Sequence, residues 1–298
     1  MKKLEEDIYQ DRSYSRCIKS AYTLFCDNFA IIFKKTWIPA LAFSLSSGLA
    51  ATMEIAMTDA GDTLDGALKT LFFILPVVLV GLVSACMFYG FLISLLNGET
   101  RRYNVIRFIR QTILMIGIGI VATVIVAGVG YSGFHIAVSN KIPTSQSAGI
   151  AMIAGVVMAV LLVLLLLPTA YTTVKYLIED KMKVFNILGH PYCKGMRYWG
   201  FLFIVMFITA IISSIVVLLA NMPMLIVSIA NSMNSAGLQM GDPSGLPSYF
   251  TVLAFLTSTA TSMFSVYLNV WVFFVLYYGY GSIEVRLKQK KQLVKVAK

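Results

Sequence analysis

Six separate stretches of this chain are long, apolar and nearly free of charge, and that feature alone decides the solvent in which it folds. A helix needs about 20 mostly apolar residues to cross the hydrocarbon of a bilayer. The stretches Trp37–Met57, Leu71–Leu96, Thr112–Val138, Gly149–Val174, Tyr198–Ala230 and Tyr249–Tyr280 all reach that length. In the fourth, the run "VVMAVLLVLLLL" by itself contributes roughly −4 kcal/mol of insertion free energy. Composition agrees, since 58% of the 298 residues are hydrophobic and only 13% charged. Soluble domains carry about 45–50% and about 25%, so a water-soluble fold of this size could not cover itself. The chain reads as an all-α, polytopic integral membrane protein: six transmembrane helices arranged as three hairpins.

The charges set the orientation. Of 24 Lys and Arg residues, all but Lys69 and Lys141 fall before the first span, between the second and third, between the fourth and fifth, or after the sixth. The opposite loops hold Asp59, Asp62, Asp65 and Asp242. Positive charge is retained on the cytoplasmic side of short loops, so both termini are expected in the cytoplasm. The formal net charge of +10 is therefore assigned to anionic membrane headgroups and not to nucleic acid. The opening segment "MKKLEEDIYQDRSYSRC" lacks an apolar core and a small-residue cleavage site, so the first span is expected to act as an uncleaved insertion signal.

Each hairpin returns to the basic side in the same manner. An apolar helix with aromatic residues runs out into a Glu, followed two residues later by a base: Glu99 and Arg101, Glu179 and Lys181, Glu284 and Arg286. The aromatic rings Phe88, Tyr89, Tyr171, Tyr176, Tyr277, Tyr278 and Tyr280 are expected in the headgroup belt, with the bases meeting lipid heads and helix C-terminal dipoles. The outgoing helices are entered through basic-aromatic segments. Arg16, Lys19, Lys34, Lys35, Trp37, Arg107, Arg110, Arg197 and Trp199 are the candidate lipid-facing residues of that interface. In "YSRCIKSAYTLFCDNFAIIFKK" the residues Ile18, Tyr22, Phe25, Phe29 and Ile32 share a helical face, which predicts an amphipathic interfacial helix on the cytoplasmic side.

One membrane domain follows, with a cytoplasmic segment over 1–35, a six-helix bundle over 36–280 and a basic tail over 281–298. Asn231–Ser248 is the one long outer loop, and its Gly, Ser, Asn and Pro content predicts coil. Pro76, Pro168 and Pro223 are candidate kinks.

Little in the sequence points to catalysis. The two histidines, His135 and His190, stand apart, and neither a phosphate-binding glycine loop nor a zinc-protease pattern is present. Cys17, Cys26, Cys86 and Cys193 have no metal-ligand or redox spacing, so no metal, cofactor or disulfide framework is expected. Glu54 and Lys175 are the charges nearest the spans, and both are expected at interfaces, Lys175 by snorkelling. The sixth span is different, because Ser258, Ser262, Ser265 and Asn269 step by four, three and four and share one face. That seam, with Ser213, Ser214 and Asn221 of the fifth span, either joins helices by hydrogen bonds or lines a cavity.

With six spans, three basic-aromatic approaches and the ending "FVLYYGYGSIEVRLK", the chain resembles bacterial six-helix membrane proteins of the kind attached to some glycerophosphodiester phosphodiesterases. The resemblance implies a bacterial inner-membrane protein close to lipid metabolism, without the catalytic domain. It carries over no functional residue. Taken together, the sequence predicts a non-enzymatic multi-pass protein that acts as an accessory, scaffold or lipid-associated factor. Its expected partners are membrane lipids, a protein partner or a second copy of itself. The alternative is a transporter or channel for an uncharged or amphipathic solute.

Overall fold

Inside hydrocarbon an unpaired backbone N–H or C=O is too costly to leave, so a spanning segment must close its hydrogen bonds within itself. The computed structural model meets this with helices throughout. It describes residues 8–57, 64–179, 182–243 and 245–296, apart from the side chains of 54–57, 64–71 and 294–296. In order, the elements are α1 (Tyr14–Met57), α2 (Leu64–Asn97), α3 (Arg101–Ser139), α4 (Thr144–Leu166), α5 (Thr169–Ile178), a 3₁₀ turn (Val184–Leu188), α6 (His190–Arg197), α7 (Trp199–Gln239) and α8 (Phe250–Val296). Six spans are long and apolar enough to cross a membrane, α4 and α5 together making one of them.

The spine is the antiparallel pair of α1 and α8. Cys17 lies against Ser282, Thr36 against Tyr267, Ser44 against Met263 and Ser47 against Ser262. These helices have 44 and 47 residues, or about 66 and 70 Å at 1.5 Å per residue. A hydrocarbon core is about 30 Å thick, so both helices project well beyond it. The first approach segment is therefore continuous with its span. Its buried column is Cys17, Ala21, Leu24, Ile32, Thr36 and Ala40, packed on α8. That is not the face expected from the aromatic pattern: of the expected set only Ile32 is buried, while Tyr22 and Phe29 are exposed. Small residues won because they let α8 approach, and the rings of Phe29 and Phe33 flank the contact by packing on Tyr267.

The peripheral hairpin is α3 with α4. In the most apolar stretch of α3 no residue is buried, against 44% in α8, and α4 packs chiefly on α3. At the far end α7 continues as helix to Gln239, so half of the segment expected as coil extends the helix. Lys181 and the side chain of Glu54 lie outside the described residues.

At the basic end the expected aromatic belt turns inward. Phe88, Tyr171, Tyr176, Tyr277, Tyr278 and Tyr280 are buried, joined there by Phe274 and Ile283. Tyr89 stacks on Phe108 at a centroid distance of 5.0 Å. These rings fill the space between α2, α5 and α8, where long aromatic side chains supply large contact area. The N-terminal residues seal the same end. Ser282 Oγ accepts from the Arg12 amide at 3.2 Å and donates to the Gln10 carbonyl at 3.2 Å. Arg286 reaches Asp11 at 2.7 Å, and the Arg12 guanidinium sits 4.6 Å from the centre of the Tyr278 ring.

Candidate functional site

Midway along the spine, the four helices α1, α2, α7 and α8 part to leave a cavity of about 260 Å³. Its polar lining is Ser47 of α1, Asn221 of α7, and Ser262, Ser265 and Asn269 of α8; Phe43, Phe88, Tyr89 and Val266 supply most of the apolar wall. Three of the four residues of the predicted seam therefore meet at one site. Ser258 does not: it is buried one turn further along α8.

Local geometry explains why the helices part here. Just beyond Ser47, α1 and α8 touch almost backbone to backbone at Gly48, where an added Cβ would lie 2.2 Å from Thr259 Oγ1 and 3.0 Å from the Phe255 carbonyl oxygen. Ser262 donates to Ser47 across the same interface at 2.8 Å. Towards the basic end the bulky Phe88, Tyr267 and Phe274 fill the space among the helices. On α7, Asn221 spends its amide N–H on the Val217 carbonyl at 2.8 Å, which leaves its carbonyl oxygen as an acceptor. Asn269 is exposed at the rim.

This lining holds hydroxyls and amides, with the Tyr89 phenol its one ionisable group. It can accept and donate hydrogen bonds to an uncharged polar group. The volume is a little below the 300–1,000 Å³ or so of drug-sized pockets, enough for a polar head or a short chain. Sequence periodicity found Ser262, Ser265 and Asn269. It missed Ser47, whose only signal was its place in "SLSSGLA" opposite the seam.

The basic end carries a second polar cluster. Lys175 Nζ lies 2.5 Å from Glu284 Oε1 and 3.2 Å from Glu179 Oε1. Tyr171 donates to Glu284 at 2.5 Å, and Tyr280 donates to Glu179 at 2.9 Å. Lys175 is 12% exposed and Glu284 13%. Lys175 therefore does not snorkel to the headgroups; it is held inside between two carboxylates. The acids of the second and third Glu-x-base motifs are thus brought together by one lysine that belongs to neither motif.

Two of the predicted lipid-facing residues are also turned inward. Arg107 is 4% exposed. Its guanidinium donates to the carbonyls of Tyr176 and, at 2.8 Å, Glu179, capping the last turn of α5, where helix carbonyls lack partners. Trp199 is half-buried, and its indole N–H donates to the Leu164 carbonyl at 2.9 Å. That carbonyl is the one Pro168, having no N–H, cannot satisfy. Tyr192 serves the adjacent Leu165 carbonyl at 2.6 Å. Arg16, Lys19, Lys34, Lys35, Trp37, Arg110 and Arg197 are exposed.

No protein-family model, curated protein or solved structure matches the chain. The geometry of the cavity and of the basic end is what bears on function.

Proposed function

We propose that the protein is a non-enzymatic, lipid-associated carrier that takes up an uncharged or amphipathic molecule between α1, α2, α7 and α8. The observation that carries this reading is the convergence of Ser47, Asn221, Ser262, Ser265 and Asn269 on one cavity, whereas the other buried hydroxyls Ser44, Ser84, Thr209 and Thr261 bond back to carbonyls of their own helices. Polar groups in hydrocarbon are costly unless something satisfies them; Ser47 and Ser262 satisfy each other, while Ser265, Asn269 and the carbonyl oxygen of Asn221 remain to line the cavity. Hydrogen bonding to an uncharged head, with apolar walls for the rest, is the chemistry such a lining offers.

The test is the molecular inventory of the purified protein. After gentle extraction, mass spectrometry of wild type is expected to find one lipid or solute class enriched over the bulk membrane. Filling the cavity with Ser265→Leu and Asn269→Leu is expected to remove that class while helix content and monodispersity persist. An inventory identical in wild type and the filled variant sinks the proposal.

The setting belongs to the same proposal: a bacterial inner membrane, with both termini cytoplasmic. The basis is the distribution of Lys and Arg and the likeness of the helix ends to phosphodiesterase-associated membrane domains. Cys26 and Cys193 are exposed near the basic end and provide native probes. An impermeant thiol reagent added to intact cells is expected to leave both unlabelled and to label a cysteine placed at Gly241; the reverse pattern inverts the topology.

The accessory or scaffold reading has one observation in its favour, the α3–α4 hairpin whose spans are hardly covered by the rest of the bundle. Crosslinking from Val124 on that hairpin to a second copy or another membrane protein would support it, and crosslinking to lipid alone would remove it.

A further inference from the structure

On the opposite side of α3 from α4, the molecule carries a groove that the carrier reading does not use. It holds about 900 Å³ and runs along α3 past Ile113, Gly117 and Val121, with Val184, Phe185 and Leu188 of the 3₁₀ turn as its other wall. Arg110 stands at its mouth. The spacing from Arg110 through Ile113 and Gly117 to Val121 keeps one helix face, and eleven residues at 1.5 Å per residue carry it about 16 Å. Half of a hydrocarbon core is about 15 Å. The groove is therefore one leaflet deep. At Gly117 an added Cβ would have nothing within 4 Å, so the floor is open, and Phe185 is 79% exposed beside it.

A polar pocket of about 300 Å³ continues from the mouth, sharing Arg110 and Val184 with the groove. Tyr103, Arg107, Tyr176 and Lys183 complete its polar lining. Arg107 is committed to the α5 carbonyls and contributes its field. Arg110 and Lys183 are exposed, and among the described residues neither forms an ion pair. An exposed apolar channel that ends on two exposed cations and a buried third is complementary to one kind of membrane molecule.

We propose that this is a binding site for an anionic phospholipid of the leaflet at the basic end. One acyl chain lies along Ile113, Gly117 and Val121 under Phe185, and the phosphate sits between Arg110 and Lys183. A soluble phosphate compound would use the pocket and leave the groove empty. A protein helix would need a partner for a cationic mouth in an apolar setting. The phospholipid satisfies both halves at once.

The test uses the full-length protein in nanodiscs, with spin-labelled phosphatidylglycerol or phosphatidylcholine as probe and the immobilised fraction as readout. Wild type is expected to hold phosphatidylglycerol in preference to phosphatidylcholine. Arg110→Gln with Lys183→Gln is expected to lower that preference by about 30-fold, from two cations near an anionic surface. Gly117→Leu, which adds bulk to an open floor without touching charge, is expected to release long-chain phosphatidylglycerol while short-chain phosphatidylglycerol remains. Lys290→Gln with Lys291→Gln removes two exposed cations near the projecting end of α8 and is expected to leave the preference unchanged. Equal retention of the two lipids by wild type overturns the site. An equal loss in the Lys290/Lys291 variant also overturns it, because diffuse attraction would then account for the preference. Retention of the long-chain lipid by Gly117→Leu overturns the placement of the chain.

Discussion

Lys175 is shared by two carboxylates, and this makes an asymmetric prediction about which partner the fold can spare. Its ammonium lies 2.5 Å from Glu284 and 3.2 Å from Glu179. In Lys175→Met the cation vanishes while both acids remain, Glu284 nearly buried and left with the Tyr171 hydroxyl and the weaker field of Lys194. Removing one member of a buried pair costs about 3–5 kcal/mol, because the survivor is left charged and desolvated. In Glu284→Gln the amide oxygen still accepts from Tyr171, and Lys175 keeps Glu179. The loss is then near that of one hydrogen bond to a charged group, about 1.5–3 kcal/mol. Glu179 is 41% exposed, so its own pairing adds little once solvent screening is counted. The double variant Lys175→Met/Glu284→Gln removes the stranded charge and is expected to be more stable than Lys175→Met alone.

The assay is reversible unfolding in mixed micelles, followed by helix circular dichroism and tryptophan fluorescence, on wild type, the two singles and the double. The expected order of stability is wild type, Glu284→Gln, the double, then Lys175→Met. A Glu284→Gln variant as damaged as Lys175→Met would refute the shared-lysine reading. So would a cycle in which the two single effects simply add, since residues in one network couple.

Two further outcomes follow from backbone accounting. Trp199→Phe keeps the ring but strands the Leu164 carbonyl beside Pro168 and is expected to cost about 1–3 kcal/mol, whereas Trp37→Phe, at an exposed ring, changes stability by less than about 0.5 kcal/mol; the same unfolding assay compares them. Gly281→Ala would place a Cβ 2.2 Å from the Ile8 carbonyl oxygen, so the N-terminal strap must detach; faster protease cleavage before Tyr14 in the variant, with the bundle intact, is the expected readout.

The sequence made the spans and the cavity residues legible for a single reason: helical periodicity is local. Ser262, Ser265 and Asn269 lie within two turns of one another, so their common face follows from 3.6 residues per turn. Lys175 and Glu284 are 109 positions apart, and nothing local distinguishes a lysine that will snorkel from one that will be enclosed. Arg107 and Trp199 occupy places where interfacial residues are common, and their roles emerge only from carbonyls left unpaired by other elements. One of those was in reach. Pro168 announces an orphan at Leu164, and the nearby downstream side-chain donors include Thr169, Tyr192 and Trp199. The approach face of α1 misled because large aromatics dominate a hydrophobic pattern, while close packing on α8 selects Cys17 and Ala21.

The two ends of the bundle are built for different tasks. The basic end is closed by the strap, the buried rings and the Lys175 cluster, which together fix α1, α5 and α8. The cavity wall supplied by α7 is anchored more lightly, through a small apolar cluster of Val227 with Phe250 and Ala254 of α8. Pro223 stands two residues after Asn221 and cannot bond the Leu219 carbonyl, and beside it a gap of about 750 Å³ opens between α7 and α8, lined by Leu219, Pro223, Leu256 and Ala260. A helix with a weakened turn beside a groove open to the surrounding membrane can swing at that turn, and the swing moves Asn221 relative to Ser265 without disturbing the anchored end. Restoring the backbone bond with Pro223→Ala is expected to stiffen α7 and to slow exchange of the molecule held in the cavity, while the affinity changes little, because Asn221 keeps its place. Exchange would be followed by the rate at which labelled ligand, identified from the copurified inventory, is displaced by unlabelled. An exchange rate equal to that of wild type would mean that the cavity opens elsewhere, and α7 would then be a fixed wall.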